Sequence, residues 1–324
     1  MTDPDGPVLV LSAPEDATAD LVEAHLKDRR VPFVRMDTGD FPTQMRIDAR
    51  NSEGRWRGRL RTPSATVELD EVRSVYYRRP TRFRLPHGLE SGDAAFALTE
   101  AKLGVGGVLA SLPATWVNHP ARIAPAEYKP LQLDVAEHVG LLVPRTLVTN
   151  DVDAVRAFAA EIGRPLVCKT FSSMLLDDGD TVTSVFTTTV DPDQIDAEQL
   201  AATAHLFQER VPKAHDARVT MVGRTAFAVA VIADSDAGRE DWRADYRNLR
   251  YETVTVPQDV QLGMSAYLDH FGLLYGAFDF VIEPDGSWRF LECNPNGQWL
   301  WLEDEADQPI AAAFAALLAG EETR

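Results

Sequence analysis

Residues 276–299, GAFDFVIEPDGSWRFLECNPNGQW, constrain the fold more than any other stretch of the chain. Two apolar runs flank a Pro-Asp-Gly turn signal, so they predict a β-hairpin with strands Gly276–Ile282 and Trp288–Cys293. Each strand carries a carboxylate, Asp279 on the first and Glu292 on the second. Side chains two apart on a strand share a face, so Glu292 and Asn294 point the same way. A two-residue Asp285-Gly286 turn sets Asp279 directly across from Glu292. A three-residue Pro284-Asp285-Gly286 loop flips one strand relative to the other, and turn chemistry leaves both open. Facing carboxylates among Phe278, Phe280, Phe290 and Leu291 repel each other and resist desolvation. A cation removes that conflict. Asp279, Glu292 and Asn294 supply the hard oxygen donors that hold Mg²⁺ against phosphates, with an ordinary polar hairpin face as the alternative.

Composition narrows the partners. With 324 residues the chain can bury two or three separate cores. Its net charge of −18 disfavours a nucleic-acid partner, because phosphate backbones demand positive surface. No apolar run approaches membrane-spanning length, and MTDPDGPVLV shows no secretion signal, so no membrane partner and a cytoplasmic location are expected. The two cysteines, Cys168 and Cys293, sit in apolar runs and read as buried free thiols. Against this acidic average stand Arg46, Arg50, Arg55, Arg57, Arg59 and Arg61, then Arg73, Arg78, Arg79, Arg82 and Arg84. Such a basic lobe suits an anionic ligand. The period of two from Arg55 to Arg61 equally describes the solvated face of a hairpin.

The chain opens as β-α-β: a strand Val8–Leu11, a helix Asp16–Arg29 and a strand Val31–Met36. The first turn, Ser12-Ala13-Pro14-Glu15, lacks the glycine pattern of a dinucleotide site. A polar hairpin follows over 44–69, then a strand Val72–Tyr77, a helix Ala94–Ser111 and a strand at 116–118, where a first lobe ends. A helix over about Pro125–Val139 begins the second, followed by a strand within Leu141–Val148. A helix from an Asn150 cap to Ile162, a strand Leu166–Thr170, a polar loop Phe171–Asp180 and a strand Thr181–Thr189 complete it. A third lobe starts near Ala204, with strands Leu206–Glu209, Ala217–Val222 and Thr225–Ile232, the hairpin, and an Ala-rich helix Gln308–Ala319.

Other residues suit the same chemistry. Lys169 lies in LVCKTF, where a buried ammonium needs an anion such as a nucleotide phosphate. Lys129, in EYKPLQLDVAEHVG, reads on its own as a surface lysine. In HLFQERVP, around Gln208, the Glu209 carbonyl and Val211 N–H can pair with an adenine edge, and Asp216 can take the ribose hydroxyls. A strand end with a charged turn explains that segment equally well. Arg218 and Arg243 can neutralise charge on a transferring phosphoryl group.

In this order, Lys129, Lys169, Q-E-R-V, D-A-R, D-W-R and D…E-C-N resemble the ATP-grasp fold from about Asn118 onward. Within it, SVYYRRPTRFRLP, KPLQL…GLLVPRTLVTND and ECNPNGQWLW are similar to the peptide maturases of the graspetide (microviridin-type, TgmB-like) family. The resemblance implies an α/β ATP-grasp architecture: a Rossmann-like pre-ATP-grasp lobe over 1–118, a central lobe with a leader-binding hairpin over 119–204, and a C-terminal lobe with the Mg²⁺ site over 205–324. It implies ATP and Mg²⁺ as cofactors and a ribosomally made precursor peptide, leader plus acidic core, as partner; homo-oligomers occur in the family. Core Asp or Glu side chains would become acyl phosphates captured by Thr or Ser hydroxyls or Lys amines. Asp279, Glu292 and Asn294 would hold the metal, with Asn294 also near the nucleotide. Lys129, Lys169 and Ser172 would approach phosphates, with Gln208, Glu209, Val211 and Asp216 around the nucleoside. Arg218 and Arg243 would flank the acyl phosphate, and Arg78 or Arg79, at a strand's C-terminal end, would meet the acidic core.

One segment departs from the family pattern. Where a glycine-rich loop is common, FSSMLLDDGD has one glycine and three aspartates. Ser172 and Ser173 are expected towards nucleotide, with Asp177, Asp178 and Asp180 turned outward towards basic leader residues. The histidines show no metal or triad spacing, and Trp299 and Trp301 read as packing residues. Rival functions are a ligase adding amino acids to a peptide or protein tail, a phosphotransferase, and a non-catalytic peptide binder that uses ATP structurally.

Overall fold

The computed structural model describes residues 5–171, 175–177, 182–184 and 187–321. A parallel sheet forms first, in the order Phe33–Met36, Val8–Leu11, Ser74–Tyr77, Thr115–Val117. All four residues of Val8–Leu11 are buried, as expected of a strand covered on both faces. The helix Ala17–Asp28 begins where Asp16 accepts from the N–H groups of Thr18 and Ala19 at 3.0 and 3.2 Å. It buries Ala19, Val22 and Leu26 in a core shared with the C-terminal helix Ile310–Leu318. That last helix is tied back by Ser74 Oγ, which donates to the Leu318 carbonyl at 2.7 Å. The chain's two ends thus complete one layer.

The predicted polar hairpin is a three-stranded antiparallel sheet, Arg46–Ser52, Arg55–Arg61 and Thr66–Glu68. Glu53 and Gly54 both take positive φ, 55° and 74°, which makes the two-residue turn that fits strand twist. Leu60 faces the core, while Arg55, Arg57, Arg59 and Arg61 are exposed on the opposite face.

The central antiparallel sheet runs Thr188–Val190, Leu166–Lys169, His205–Glu209, Thr146–Thr149. His205–Glu209 is hydrogen-bonded between two central strands, so a division at 204/205 would cut this sheet. The helix expected over 125–139 is two helices, Pro120–Ala126 and Lys129–His138, because Pro130 suits a new first turn. The cap of Val152–Ile162 is Asp151, not Asn150: Asp151 accepts from the N–H of Asp153, while Asn150 donates to Ala201. Within the expected loop after Phe171, Leu175–Asp177 pairs antiparallel with Val182–Ser184.

A five-stranded antiparallel sheet closes the fold, ordered Leu249–Thr253, Thr225–Ala233, His215–Val222, Tyr275–Ile282, Trp288–Asn294. Its core face carries Val219, Met221, Phe278, Phe280 and Phe290, packed against Tyr267, Leu268 and Phe271 of the helix Gln258–Phe271. Among the described residues no helix is long and apolar enough to cross a membrane.

Asn118 rivets the first sheet to the last. Its Nδ2 donates to the carbonyls of Tyr275 and Pro295, both at 2.8 Å, and its Oδ1 accepts from the N–H groups of Leu274 and Tyr275. Asn118→Ala strands buried main-chain groups, so urea denaturation is expected to show a loss of about 2–4 kcal/mol. A loss below about 0.5 kcal/mol, the range of inert surface changes, would mean that the rivet carries no load.

Candidate active site

The terminal hairpin answers the register question in two steps. Its loop has three residues, since Ile282 pairs with Trp288 and the Glu283 N–H reaches the Ser287 carbonyl. Taken alone, this would set Asp279 and Glu292 out of step. A bulge then intervenes: Phe280 pairs with Phe290, but Asp279 pairs with Glu292, leaving Leu291 as the extra residue. The two carboxylates therefore lie directly across from each other, on the face opposite the Phe278, Phe280 and Phe290 core.

Cations meet them there. Arg218, directly beside Asp279 on the neighbouring strand, donates to Asp279 Oδ1 at 2.7 Å. Arg243 donates to Asp279 Oδ2 at 2.6 Å and reaches Glu292 Oε1 at 3.5 Å. Lys129 Nζ lies 3.1 Å from Glu292 Oε2 and donates to the Thr170 carbonyl at 2.7 Å. Burial works to raise the Asp279 pKa, yet Arg218 and Arg243 outweigh it and hold the carboxyl at about 2. The Lys169 ammonium makes no hydrogen bond or ion pair with any described residue. Its side chain keeps some contact with solvent, but burial is the main influence and pushes its ammonium down to about 8, against the pull of Glu292.

Asp279, Glu292, Arg243, Lys129 and Lys169 line a cleft of about 1930 Å³ between the central and C-terminal sheets, with Arg218 behind Asp279. Gln208, Glu209, Val211 and Asp216 line it too. Gln208 donates to Thr146 at 2.9 Å, but its buried Oε1 has no partner among the described residues. The Glu209 carboxylate is held by Arg145 through N–H at 3.1 Å and guanidinium at 3.2 Å, which fixes the strand end. The Arg210 N–H is spent on Pro165, and the Val211 N–H bonds to no described residue. Asp216 is paired with Lys213 at 2.9 Å.

Asn294 is exposed two pairs beyond Glu292, its Oδ1 accepting from the Asn296 N–H at 3.1 Å. Among the described residues no group of three His, Cys, Asp or Glu side chains is placed to hold a metal. Two carboxylates and an amide oxygen on one face nevertheless match a Mg²⁺ ion that draws its other ligands from phosphates and water. Ser172, Ser173, Asp178 and Asp180 lie outside the described residues.

Arg78 and Arg79 part company. Arg78 is 1% exposed, lies 3.6 Å from Asp16, and donates to the carbonyls of Asn296 and Gly297 and to the side chains of Asn296 and Gln298. It is a clamp on the 296–298 loop and cannot meet a peptide. Arg79 is exposed beside it. The clamped loop returns a Gln298 carbonyl to Arg218 at 3.1 Å. Gly297 is needed there, since a Cβ would stand 2.7 Å from the Ala277 Cβ and 2.9 Å from Arg218 Nη2. Sequence reasoning missed Asp241, Trp242 and Gln298. Asp241 is buried 3.5 Å from Arg243, and the Trp242 ring lies under that guanidinium at 4.7 Å. Their signal was adjacency to Arg243 in D-W-R.

Comparison with known proteins follows the same lines. A family model described as the MvdD pre-ATP grasp domain matches residues 7–124. The macrocyclase MdnC of Microcystis aeruginosa MRC, solved with its precursor peptide MdnA, is 30% identical, with 97% of this chain and 99% of that one covered and a TM-score of 0.83. The chain belongs to the ATP-grasp macrocyclases. MdnB from the same organism is 28% identical over 97% and 99% of the two chains, with a TM-score of 0.79. A RiPP-associated ATP-grasp ligase of Chryseobacterium gregarium, solved with ADP and a leader and core peptide, has a TM-score of 0.89 at 24% identity, with 98% of each chain covered. A comparison with curated protein sequences finds no match. The ATP-grasp fold anticipated from the ordered motifs is thus the fold observed.

Asp279→Ala leaves the Arg218 guanidinium buried without its counter-charge. Urea unfolding is expected to lose about 3–5 kcal/mol, with part regained in Asp279→Ala/Arg218→Met, because a buried ion costs most when unpaired. Equal losses in the single and double variants would contradict the pairing.

Proposed function

We propose that this ATP-grasp ligase closes rings in a ribosomally made precursor peptide, activating core Asp or Glu side chains as acyl phosphates that Thr or Ser hydroxyls capture as ω-esters, or Lys amines as ω-amides. One observation carries the reading: Arg218, Arg243, Lys129 and Lys169 converge on only two carboxylates, Asp279 and Glu292. Even with Asp241 counted, the cluster keeps a positive balance suited to a triphosphate and a substrate carboxylate. The precursor and nucleotide complexes of the related structures point to the same substrates.

Asp279, Glu292 and Asn294 would hold Mg²⁺, which when bound neutralises phosphate charge and orients the terminal phosphoryl group. Lys129 and Lys169 would hold phosphate oxygens. The orphan Gln208 Oε1, the Glu209 carbonyl and the Val211 N–H would face adenine, and Asp216, freed from Lys213, the ribose. A core carboxylate oxygen attacks the γ-phosphorus of ATP and ADP leaves, giving the acyl phosphate. Arg218 and Arg243 stabilise the equatorial oxygens during this transfer. A hydroxyl or amine of the same peptide then attacks the acyl carbon, phosphate leaves, and the nucleophile's proton passes to phosphate or solvent. No covalent enzyme intermediate is required, so positioning and charge do the catalysis. Arg79 would meet the unreacted acidic core. The leader would dock near the hairpin formed by 175–177 and 182–184. The central lobe is best drawn through residue 209, which keeps its sheet whole.

Incubating the enzyme with ATP, Mg²⁺ and its precursor is expected to lower the peptide's mass by one water per link, with loss of this activity in Glu292→Ala. A gain of an amino-acid residue or of a phosphate would replace ring closure with tail addition or phosphotransfer. Precursor binding without ATP turnover would remove the enzymatic reading.

Lys169 sets a pH dependence with two opposite signs. Its folded-state pKa, about 8, lies below its ordinary value. Between those two values the unfolded chain binds more protons, so rising pH relieves a folding penalty. Over the same window the ammonium that holds phosphate disappears. The kcat/KM for ATP is therefore expected to fall above pH 8 while the fold is not weakened by this group, and Lys169→Arg should shift that fall to higher pH.

A further inference from the structure

Among the described residues, Thr188–Val190 lies at the edge of the central sheet and pairs with Leu166–Lys169, the strand that carries Lys169. Two main-chain N–H groups on its outer side, those of Thr187 and Thr189, are met by two consecutive carboxylates from the C-terminal part of the chain. Glu240 Oε1 accepts from the Thr189 N–H at 3.0 Å and from its hydroxyl. Asp241 Oδ2 accepts from the Thr187 N–H at 3.3 Å. Thr187 and Thr189 are two apart, so both N–H groups face the same way and one short acidic segment can grip both.

Asp241 differs from Glu240 in what its other oxygen does. Asp241 Oδ1 accepts from the Arg243 N–H at 3.1 Å and lies 3.5 Å from Arg243 Nη1. Arg243 in turn donates to Asp279 and reaches Glu292 through Nη2. One buried carboxylate, 8% exposed, therefore joins the strand next to Lys169 to the guanidinium that faces Asp279. Without Asp241, Arg243 keeps Asp279 and Glu292 as partners and can swing wholly towards them. With Asp241, one of its nitrogens is drawn back towards the central sheet.

We infer that Asp241 is a positioning residue that latches the central-sheet edge to Arg243, setting the guanidinium only when the two walls of the cleft are docked. The inference rests on the proposed role of Arg243 at the transferring phosphoryl group. A latch of this kind makes phosphoryl transfer depend on the placement of the wall that carries Lys169. Glu240 grips the same strand but, among the described residues, makes no hydrogen bond or ion pair with the Arg243 side chain, so it holds the edge without setting the guanidinium.

The test pairs kinetics with backbone hydrogen exchange on the full chain. Asp241→Ala is expected to lower kcat about 10–100-fold, the scale of a small misplacement of a catalytic group, while the KM for ATP changes less than about threefold. Arg243→Ala added to Asp241→Ala should cost little beyond Arg243→Ala alone, because a residue acting through another shows no independent effect. Glu240→Gln, which keeps an acceptor for Thr189, should retain wild-type kcat. The Thr187 and Thr189 amides should exchange slowly in the wild type, and Thr187 faster in Asp241→Ala. A kcat within twofold of wild type, or effects of Asp241→Ala and Arg243→Ala that multiply, would overturn the inference. If the wild type itself does not consume ATP with its precursor, the enzymatic reading fails; amide exchange still decides the latch, and unchanged Thr187 protection would remove it.

Discussion

Two carboxylates are forced to face each other across an antiparallel pair, and the surrounding structure is arranged around that charge. Asp279 is buried where an isolated carboxylate could not stay ionised, and Arg218 and Arg243 keep it so. The pairing runs both ways: Arg218 is buried too and depends on Asp279 for its counter-charge. Burying such a pair gains little stability over an apolar pair, since desolvation offsets the Coulomb attraction. Its retention makes sense as function, a rigid and highly charged floor for a ligand that brings more charge.

Holding that floor engages all the principal sheets. Arg78 of the parallel layer clamps the 296–298 loop, whose Gln298 carbonyl steadies Arg218. Asn118 joins the same layer to Tyr275 and Pro295, at one end of the two strands that carry the carboxylates. Lys129 reaches Glu292 from a helix packed on the same C-terminal sheet, and Asp241 ties Thr187, beside the central sheet's edge, to Arg243. The cleft thus draws cations from both walls, Lys169 from the central sheet and Lys129 and Arg243 from the C-terminal side. Arg78 illustrates the division of labour: placed at the C-terminal end of a parallel strand, where ligands are expected, it serves the enzyme's own loop and leaves the exposed position to Arg79.

Much of this was legible from short-range patterns. The alternation in 276–299 identified the hairpin and its carboxylates, the β-α-β opening identified the parallel layer, and the ordered lysines and arginines identified the family. Local chemistry misled where two signals competed. Asn150 and Asp151 both suit a helix cap, and only the partner available to each chose between them. The strand Leu249–Thr253 is hard to see in the sequence: LRYET alternates half-buried Leu249 and Tyr251 with exposed Arg250 and Glu252, but the run is only five residues long and lies at a sheet edge.

The sequence by itself determined which chemical groups were present and on which elements: two carboxylates and an amide on one hairpin, with lysines and arginines on others. Tertiary structure decided which of them meet. The bulge at Leu291 set Asp279 against Glu292, because one extra residue reverses the facing of everything beyond it. Lys129, a surface lysine on local evidence, is paired with Glu292 because the start of its helix abuts that carboxylate. His205–Glu209 joined the central sheet because strand pairing is a long-range choice among free edges, which no local window of sequence contains.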